Sequence, residues 1–507
     1  MSGWGGNVLN KEERTVAKFN LLEEPWIPVL RGGRVEEVGL EEALLKAPEI
    51  ARIETPSPLE EAALHRLLLA VLHRALGGPS RVEEVGAWWQ EGHFPLEPIR
   101  EYLDRYRARF YLFHEEAPFF QVADLPEKDP LPWSKLLPEL ASGNNPTLFD
   151  HTTEENLPQV GYAQAARALL VHQTFTPGGL LRRHGVPSAK GAPLAGAAAF
   201  LPTGANLFET LLFNLVPYQK GEDAPLWEVP PLRLEDLEGH KTKWPLSGVT
   251  RVYTWPSRGV RLLDEGDGVR LMAYGPGVEP LEAAFRDPMV AYRKDAKGNL
   301  LPLRLSAEKA FWRDFRAMLP QAEGVLPSTV NAADELLGYL EGEGIDPLPS
   351  RSLRVLGQVS DQAKILDVRR EVYPLPPGAL SAKAELNLGW ALERAEALGQ
   401  GLRRLALLLA QEVLGSGEPG ELSAFAASLP LERLYWHALD GSFPALLERL
   451  GKEGDRAWWK EVLRQAALEG WNATRVALGT GARHLKALAK GEALLLSLLA
   501  EKEEVKR

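Results

Sequence analysis

The chain has 507 residues, 45% hydrophobic and 25% charged, with a net charge of −11 and no cysteine. That length allows more than one buried core. The lack of cysteine excludes disulfides, thiolate zinc sites, iron–sulfur clusters and thiol catalysis. No apolar run approaches the ~18 residues of a membrane span, so the sequence predicts a cytoplasmic protein without membrane contact.

In chain order, residues 1–18 read as a polar leader with no apolar signal core. Trp26–Arg31 and Arg34–Val38 flank Gly32-Gly33 as a hairpin. Helical periodicity runs through Leu59–Leu76, then through 81–90 and 96–109. His65 and His73 on the first of these read as surface or core-edge residues rather than metal ligands. Phe110–Gln121 is aromatic and strand-like, and 122–157 is loop-rich around Ser142-Gly-Asn-Asn-Pro. A helix over Pro158–Phe175 and an apolar strand over Ala197–Pro202 then bracket a Gly/Pro loop.

An acidic chain repels phosphate on average, so contact with nucleic acid needs a surface cleared of acids. Such a stretch exists. From Leu157 to Phe208 there is no Asp or Glu, where the chain's mean density predicts about seven. The window holds Arg167, Arg182, Arg183, Lys190 and seven glycines. Glycine lets backbone N–H groups approach a polyanion, and adjacent cations neutralise phosphates. On composition alone the same stretch is equally a plain connector.

Between 225 and 305 short strands are expected, with a turn at Asp295–Asn299. Leu353–Tyr373 reads as two strands around a polar tip, Ser360–Lys364. Beyond Gly378, the positions Leu388, Ala391, Ala395, Leu398, Leu402, Leu405 and Leu409 form a bundle seam. Gly415–Gly420 breaks it; the string matches GxGxxG but follows a helix and carries a proline, so it reads as a linker. Shorter helices over 421–439 and 443–450 follow. Next come one helix with Trp458, Val462, Leu463 and Ala466, and a last one with Leu485, Leu488, Leu495 and Leu499. The expected fold is α+β: a large mixed body of short strands and helices over 19–375, followed by a C-terminal four-helix bundle over 379–507. No P-loop, GxSxG elbow, HExxH or paired-carboxylate spacing appears, so no catalytic residue and no cofactor is assigned.

Two strings carry a family resemblance. Phe19-Asn-Leu-Leu-Glu-Glu-Pro-Trp-Ile-Pro-Val and Phe110-Tyr-Leu-Phe-His-Glu-Glu-Ala-Pro-Phe-Phe-Gln resemble hallmarks of the large, CasA-type subunit of the type I-E CRISPR Cascade complex. The Pro177-Gly178-Gly179 loop and the Gln362-Ala-Lys-Ile tip follow in the family's order, and the likeness spans about residues 19–503. The resemblance implies a non-catalytic subunit near the 5′ end of a guide RNA, bound to the other Cascade subunits. Such a subunit reads the protospacer-adjacent motif (PAM) of double-stranded target DNA through the minor groove, starts strand separation and R-loop formation, and recruits a helicase-nuclease.

Carried over by residue, the family's glycine loop falls on Pro177, Gly178 and Gly179, with Arg182, Arg183 and Lys190 as the neighbouring cations. Its glutamine wedge falls on Gln362, between Asp361 and Lys364. Its loop for anchoring to the complex and guide falls on about Phe149 to Tyr162, led by Phe149, Asp150 and His151. Asp150 stands where the family often has Asn, which replaces an amide by an acceptor-only group. The family's lysine finger has no counterpart, because Met272–Phe285 lacks lysine; Arg270, Arg293 and Lys294 are the cations left for that role. The cysteine-ligated zinc of some relatives has no ligands here. Apart from the resemblance, a protein–protein scaffold and a cytosolic enzyme without a recognisable motif stay open.

Overall fold

The computed structural model describes residues 17–140, 158–281, 286–319, 323–361, 364–379, 382–415 and 417–500. The chain opens on β1 (Lys18–Asn20), β2 (Ile27–Arg31), β3 (Arg34–Val38), α1 (Leu40–Leu45) and β4 (Ile50–Ile53). β1 begins inside the stretch read as a leader. The hairpin expected around Gly32-Gly33 forms, with β2 paired antiparallel to both β3 and β4. Then come α2 (Pro58–Leu76), α3 (Val82–Glu91), α4 (Leu96–Tyr106), β5 (Tyr111–Phe113) and β6 (Leu131–Pro132). Ser57 caps α2 by accepting from the Leu59 amide at 3.3 Å.

α2 is buried nearly all round, so it is a core helix rather than an amphipathic surface one. His65 and His73, expected near the surface, are both buried in it. Of Phe110–Gln121 only β5 is strand, because the Gln121 side-chain amide donates to the Leu112 carbonyl at 2.6 Å and folds the segment back.

The chain continues through α5 (Tyr162–Phe175), β7 (Gly179–Arg183), β8 (Val186–Ala189), β9 (Ala199–Thr203), α6 (Leu207–Phe213) and α7 (Leu234–Leu237). After them come β10 (Lys243–Pro245), α8 (Val249–Tyr253), β11 (Arg258–Asp264), β12 (Val269–Pro276) and β13 (Glu279–Leu281). β14 (Tyr292–Lys294), β15 (Leu300–Pro302), α9 (Phe315–Met318), α10 (Ser328–Gly342), β16 (Ser352–Asp361) and β17 (Lys364–Pro374) complete the mixed body. The sheets are small: β11 and β12 pair with β6 in the order β11-β12-β6, and β16 lies between β17 and β9.

Five helices end the chain: α11 (Ala382–Leu414), α12 (Pro419–Ser428), α13 (Pro430–Arg449), α14 (Asp455–Leu478) and α15 (Ala482–Leu499). The break expected between 439 and 443 is absent. Pro444 removes one helical hydrogen bond, but Leu439, Phe443, Leu446 and Leu447 bury one continuous face and keep α13 whole. The expected seam is buried except at Leu398, which is half-buried. On α14 the fully buried indole is Trp459, with Trp458 only half-covered. On α15 the inward face is Ala487, Gly491 and Leu495, while Leu485 is exposed.

By compactness the chain divides into two units: Met1–Val290 with Pro327–Ile345 and Val355–Arg370, and Ala291–Leu326 with Asp346–Arg354 and Glu371–Arg507. The second unit therefore joins the helices to segments that precede them. Trp312 stacks on Phe443 with ring centroids 4.7 Å apart, and its Nε1 donates to Asp440 at 2.7 Å. Trp312→Ala is expected to cost roughly 3–5 kcal/mol, from the lost indole and the unpartnered carboxylate. The domain limit at 375–379 stays a proposal, which the same contact tests. A 379–507 fragment should keep its helical circular dichroism but melt below the full chain's helical transition, because it lacks Trp312.

Candidate nucleic-acid interface

The acid-free stretch is not a plain loop. Its centre is a two-stranded hairpin, β7 with β8, in which Gly179 faces Ala189 and Leu180 faces Ser188. A bulge lies between Leu180 and Arg183, where Arg182 takes φ 53°. The neck closes through glycine. A Cβ on Gly178 would lie 2.8 Å from the Gly191 amide nitrogen, so the two arms touch backbone to backbone. Gly179 differs: its φ is +155° and nothing lies within 4 Å of where its Cβ would be. Gly178 is thus required by the neck, whereas Gly179 faces open space.

Two buried side chains clamp this neck. Arg258, at the start of β11, donates to the Pro177 carbonyl at 2.8 Å and to the Lys190 carbonyl at 2.9 Å, one on each arm. Gln173, on the last turn of α5, holds Arg258 in turn: its Oε1 accepts from the Arg258 amide at 2.9 Å and its Nε2 donates to the Arg258 carbonyl at 2.8 Å. One layer deeper, Gln358 on β16 donates to the Phe175 carbonyl at 3.0 Å and the Ala195 carbonyl at 2.9 Å. Gln358 also ties the second hairpin to the first. Asp361, the last residue of β16, lies about 10 Å of extended chain from that anchor.

The predicted site residues separate by surroundings. Pro177 and Gly178 are half-buried and Gly179 is exposed. Arg182 is exposed with no ion pair among the described residues. Arg183 donates to the Asp129 carbonyl at 3.1 Å, and Lys190 pairs with Glu279 at 3.5 Å, so neither is as free as the acid-poor sequence suggested. β16 ends at Asp361 and β17 begins at Lys364, which is exposed; Gln362 lies outside the described residues. Phe149, Asp150 and His151 also lie outside them. The described root of that loop is fastened to the β11–β12 hairpin by a Val160–Val269 bridge and by Tyr162, whose hydroxyl donates to Asp264 at 2.6 Å. Among the cations left for the lysine-finger role, Arg270 pairs with Glu265 and Lys294 with Glu323, while Arg293 is exposed with no ion pair among the described residues.

Sequence reasoning missed Gln173, Arg258, Gln358 and Leu180. The first three act on backbone carbonyls far away in the chain, which leaves no local period. Leu180 is the one with a signal: a leucine directly after Gly-Gly in a polar, acid-free stretch.

Beneath the hairpin, His172 accepts from the Tyr274 hydroxyl at 2.9 Å through Nε2 when Nδ1–H faces the Leu136 carbonyl at 3.3 Å. Burial, reinforced by the Arg258 charge, pushes its pKa down to about 3. Burial lowers His73 to about 4. In the unfolded chain both protonate near the ordinary pKa of 6.5. Below that pH the unfolded state binds more protons, so stability present above 6.5 is lost on acidification, by about 1.4 kcal/mol per pH unit for each histidine. Thermal melts between pH 6.5 and 4.5 should show this fall, and His172→Gln should remove about half of the histidine contribution.

The same fold recurs among CRISPR-associated proteins. Residues 20–470 match the model of the CRISPR-associated protein Cse1 family. A CRISPR-associated protein CasA/Cse1 of Thermus thermophilus is 68% identical over 495 residues, covering 96% of this chain and 98% of that protein. A solved structure of Thermus thermophilus CasA (Cse1) superposes with a TM-score of 0.90 at 66% identity, over 96% of this chain and 99% of that one. A chain of a CRISPR RNA-guided surveillance complex, 22% identical, shares the fold at a TM-score of 0.76 over 95% of this chain and 100% of its own. The chain belongs to the Cse1 (CasA) family of CRISPR-associated proteins.

Proposed function

We propose that the chain is the DNA-reading subunit of an RNA-guided Cascade complex of type I-E. It is cytoplasmic and makes no covalent change in its target. In this reading the β7–β8 hairpin brings Gly179 to the minor groove of the PAM, where a Cβ would collide with the groove, and Arg182 meets a flanking phosphate. Gln362 enters beneath the last PAM base pair and starts strand separation, opening the way to the R-loop. Phe149, Asp150 and His151 anchor the subunit to the guide near its 5′ end and to the other subunits, and the opened complex recruits a helicase-nuclease.

The observation that carries this reading is the hairpin itself. Its neck is closed by Gly178 against Gly191 and clamped by Arg258, its outer glycine faces open space, and its cation Arg182 has no ion pair among the described residues. A protein of net charge −11 has little other reason to hold a rigid, acid-free glycine hairpin outward. The occurrence of the fold in an RNA-guided surveillance complex supports the assembly. The test is a gel shift of PAM-bearing against PAM-less duplex, for the full chain alone and for the assembled complex with guide. PAM preference should appear in the assembled complex and vanish when this chain is omitted. Equal binding of both duplexes by the complete complex would refute the reading.

A further inference from the structure

We propose that Leu180 is an apolar minor-groove contact that reads duplex DNA beside Gly179; this rests on the reading of the β7–β8 hairpin given above. An exposed leucine signifies nothing by itself. Leu180 is set apart by its place. It is 75% exposed on the first outward position after Gly179. The residue across the strand pair, Ser188, is itself exposed and too small to cover it. The bulge that follows shifts the register before Arg183, and Arg182 lies in it two residues along the chain from Leu180. The hairpin holding all three is clamped at its neck by Arg258, itself held by Gln173, so Leu180 is displayed on a fastened support rather than on a fraying end.

The chemistry that suits such a side chain is the sugar C–H wall and base edges of a minor groove. Apolar side chains inserted there gain burial, while a neighbouring cation takes the phosphate. A second protein surface would also cover a leucine. The cation Arg182, exposed and without an ion pair among the described residues, favours a polyanion instead, since it raises the local potential where Leu180 would dock.

Salt dependence separates the two kinds of contact. A phosphate contact releases a counterion and steepens the salt slope; an apolar groove contact does not. The experiment uses the assembled complex, its guide, and a matched PAM-bearing duplex, titrated at several salt concentrations. Leu180→Ser should weaken binding about tenfold at every salt concentration with an unchanged slope. Arg182→Gln should lower the slope by about 0.9, and Leu180→Met should retain near-normal affinity. Melting temperatures should not move, because both side chains are exposed.

If Gly179→Asp weakens binding while Leu180→Ser does not, the hairpin reads DNA without Leu180 and the inference is overturned. If neither changes binding, the reading of the hairpin falls and this inference with it. Loss of the chain from the assembled complex in Leu180→Ser, with DNA affinity intact in the complexes that form, would assign the leucine to a protein contact and equally overturn it.

Discussion

Gly179→Asp is expected to weaken PAM-duplex binding by the assembled complex on the order of 100-fold, because it places a carboxylate where phosphate and groove are read to lie. Gly179→Ala is its control. Both variants must hold a Cβ at φ +155°, so the backbone strain is common to them and the difference reports the carboxylate, its charge and its bulk together. Gly178→Asp is a poorer probe of the groove, since its Cβ meets the Gly191 amide nitrogen at 2.8 Å and disturbs the neck itself. Gln362→Ala tests the other hairpin. It removes an amide and no charge, so it should slow strand opening more than docking, with a loss of roughly 1–3 kcal/mol. A target mismatched next to the PAM is already open there. It should rescue Gln362→Ala and leave Gly179→Asp defective. Rescue of both alike, or unchanged PAM binding by Gly179→Asp, would place the groove contact elsewhere.

Local periodicity made much of the fold legible. The β2–β3 hairpin and the β16–β17 pair are marked by the turn residues between them, α2 and the seam of α11 by apolar spacing, and each lies within a few residues of its expected limits. The β7–β8 hairpin was hidden because Gly178, Gly179, Gly185 and Pro187 break any alternation and the bulge shifts the register midway. The helices expected over 421–439 and 443–450 instead divide at Leu429, before Pro430, and the buried Leu439, Phe443 and Leu446 carry α13 through Gly441 and Pro444.

At the candidate site, glycine and the missing acids marked the stretch that forms the β7–β8 hairpin, since both are compositional and survive without knowledge of neighbours. Which cations are free was not legible. Lys190 finds Glu279 and Arg183 finds the Asp129 carbonyl across chain separations that no spacing rule spans.

Arg258 is the clearest case of a residue that only the fold explains, and its loss should be among the most damaging single changes in the first unit. It is 5% exposed, and its guanidinium is held by the carbonyls of Pro177, Lys190 and Ser257, the last at 2.6 Å. Arg258→Met keeps much of the bulk but leaves those acceptors without their donor, at a cost of about 2–4 kcal/mol. Arg258→Lys keeps the charge but not the planar fork, and a single ammonium cannot span both arms as the two Nη groups do. If the clamp positions the hairpin, Arg258→Met should lower PAM-duplex affinity toward that of PAM-less duplex even at a temperature where the variant is fully folded. Arg258→Lys should lie between the two. The loss should spare assembly if the loop after Phe149 anchors the subunit as proposed, because its described root is held separately, by Val160 and Tyr162. A second signature is electrostatic. Burial first and the Arg258 charge second hold His172 near a pKa of 3, so removing the charge should let that pKa rise and end the acid-side loss of stability at a higher pH. A folded Arg258→Met complex with full PAM preference would show that the hairpin keeps its shape without the clamp; lost preference together with an acid-side loss that ends at a higher pH would tie both effects to the one guanidinium.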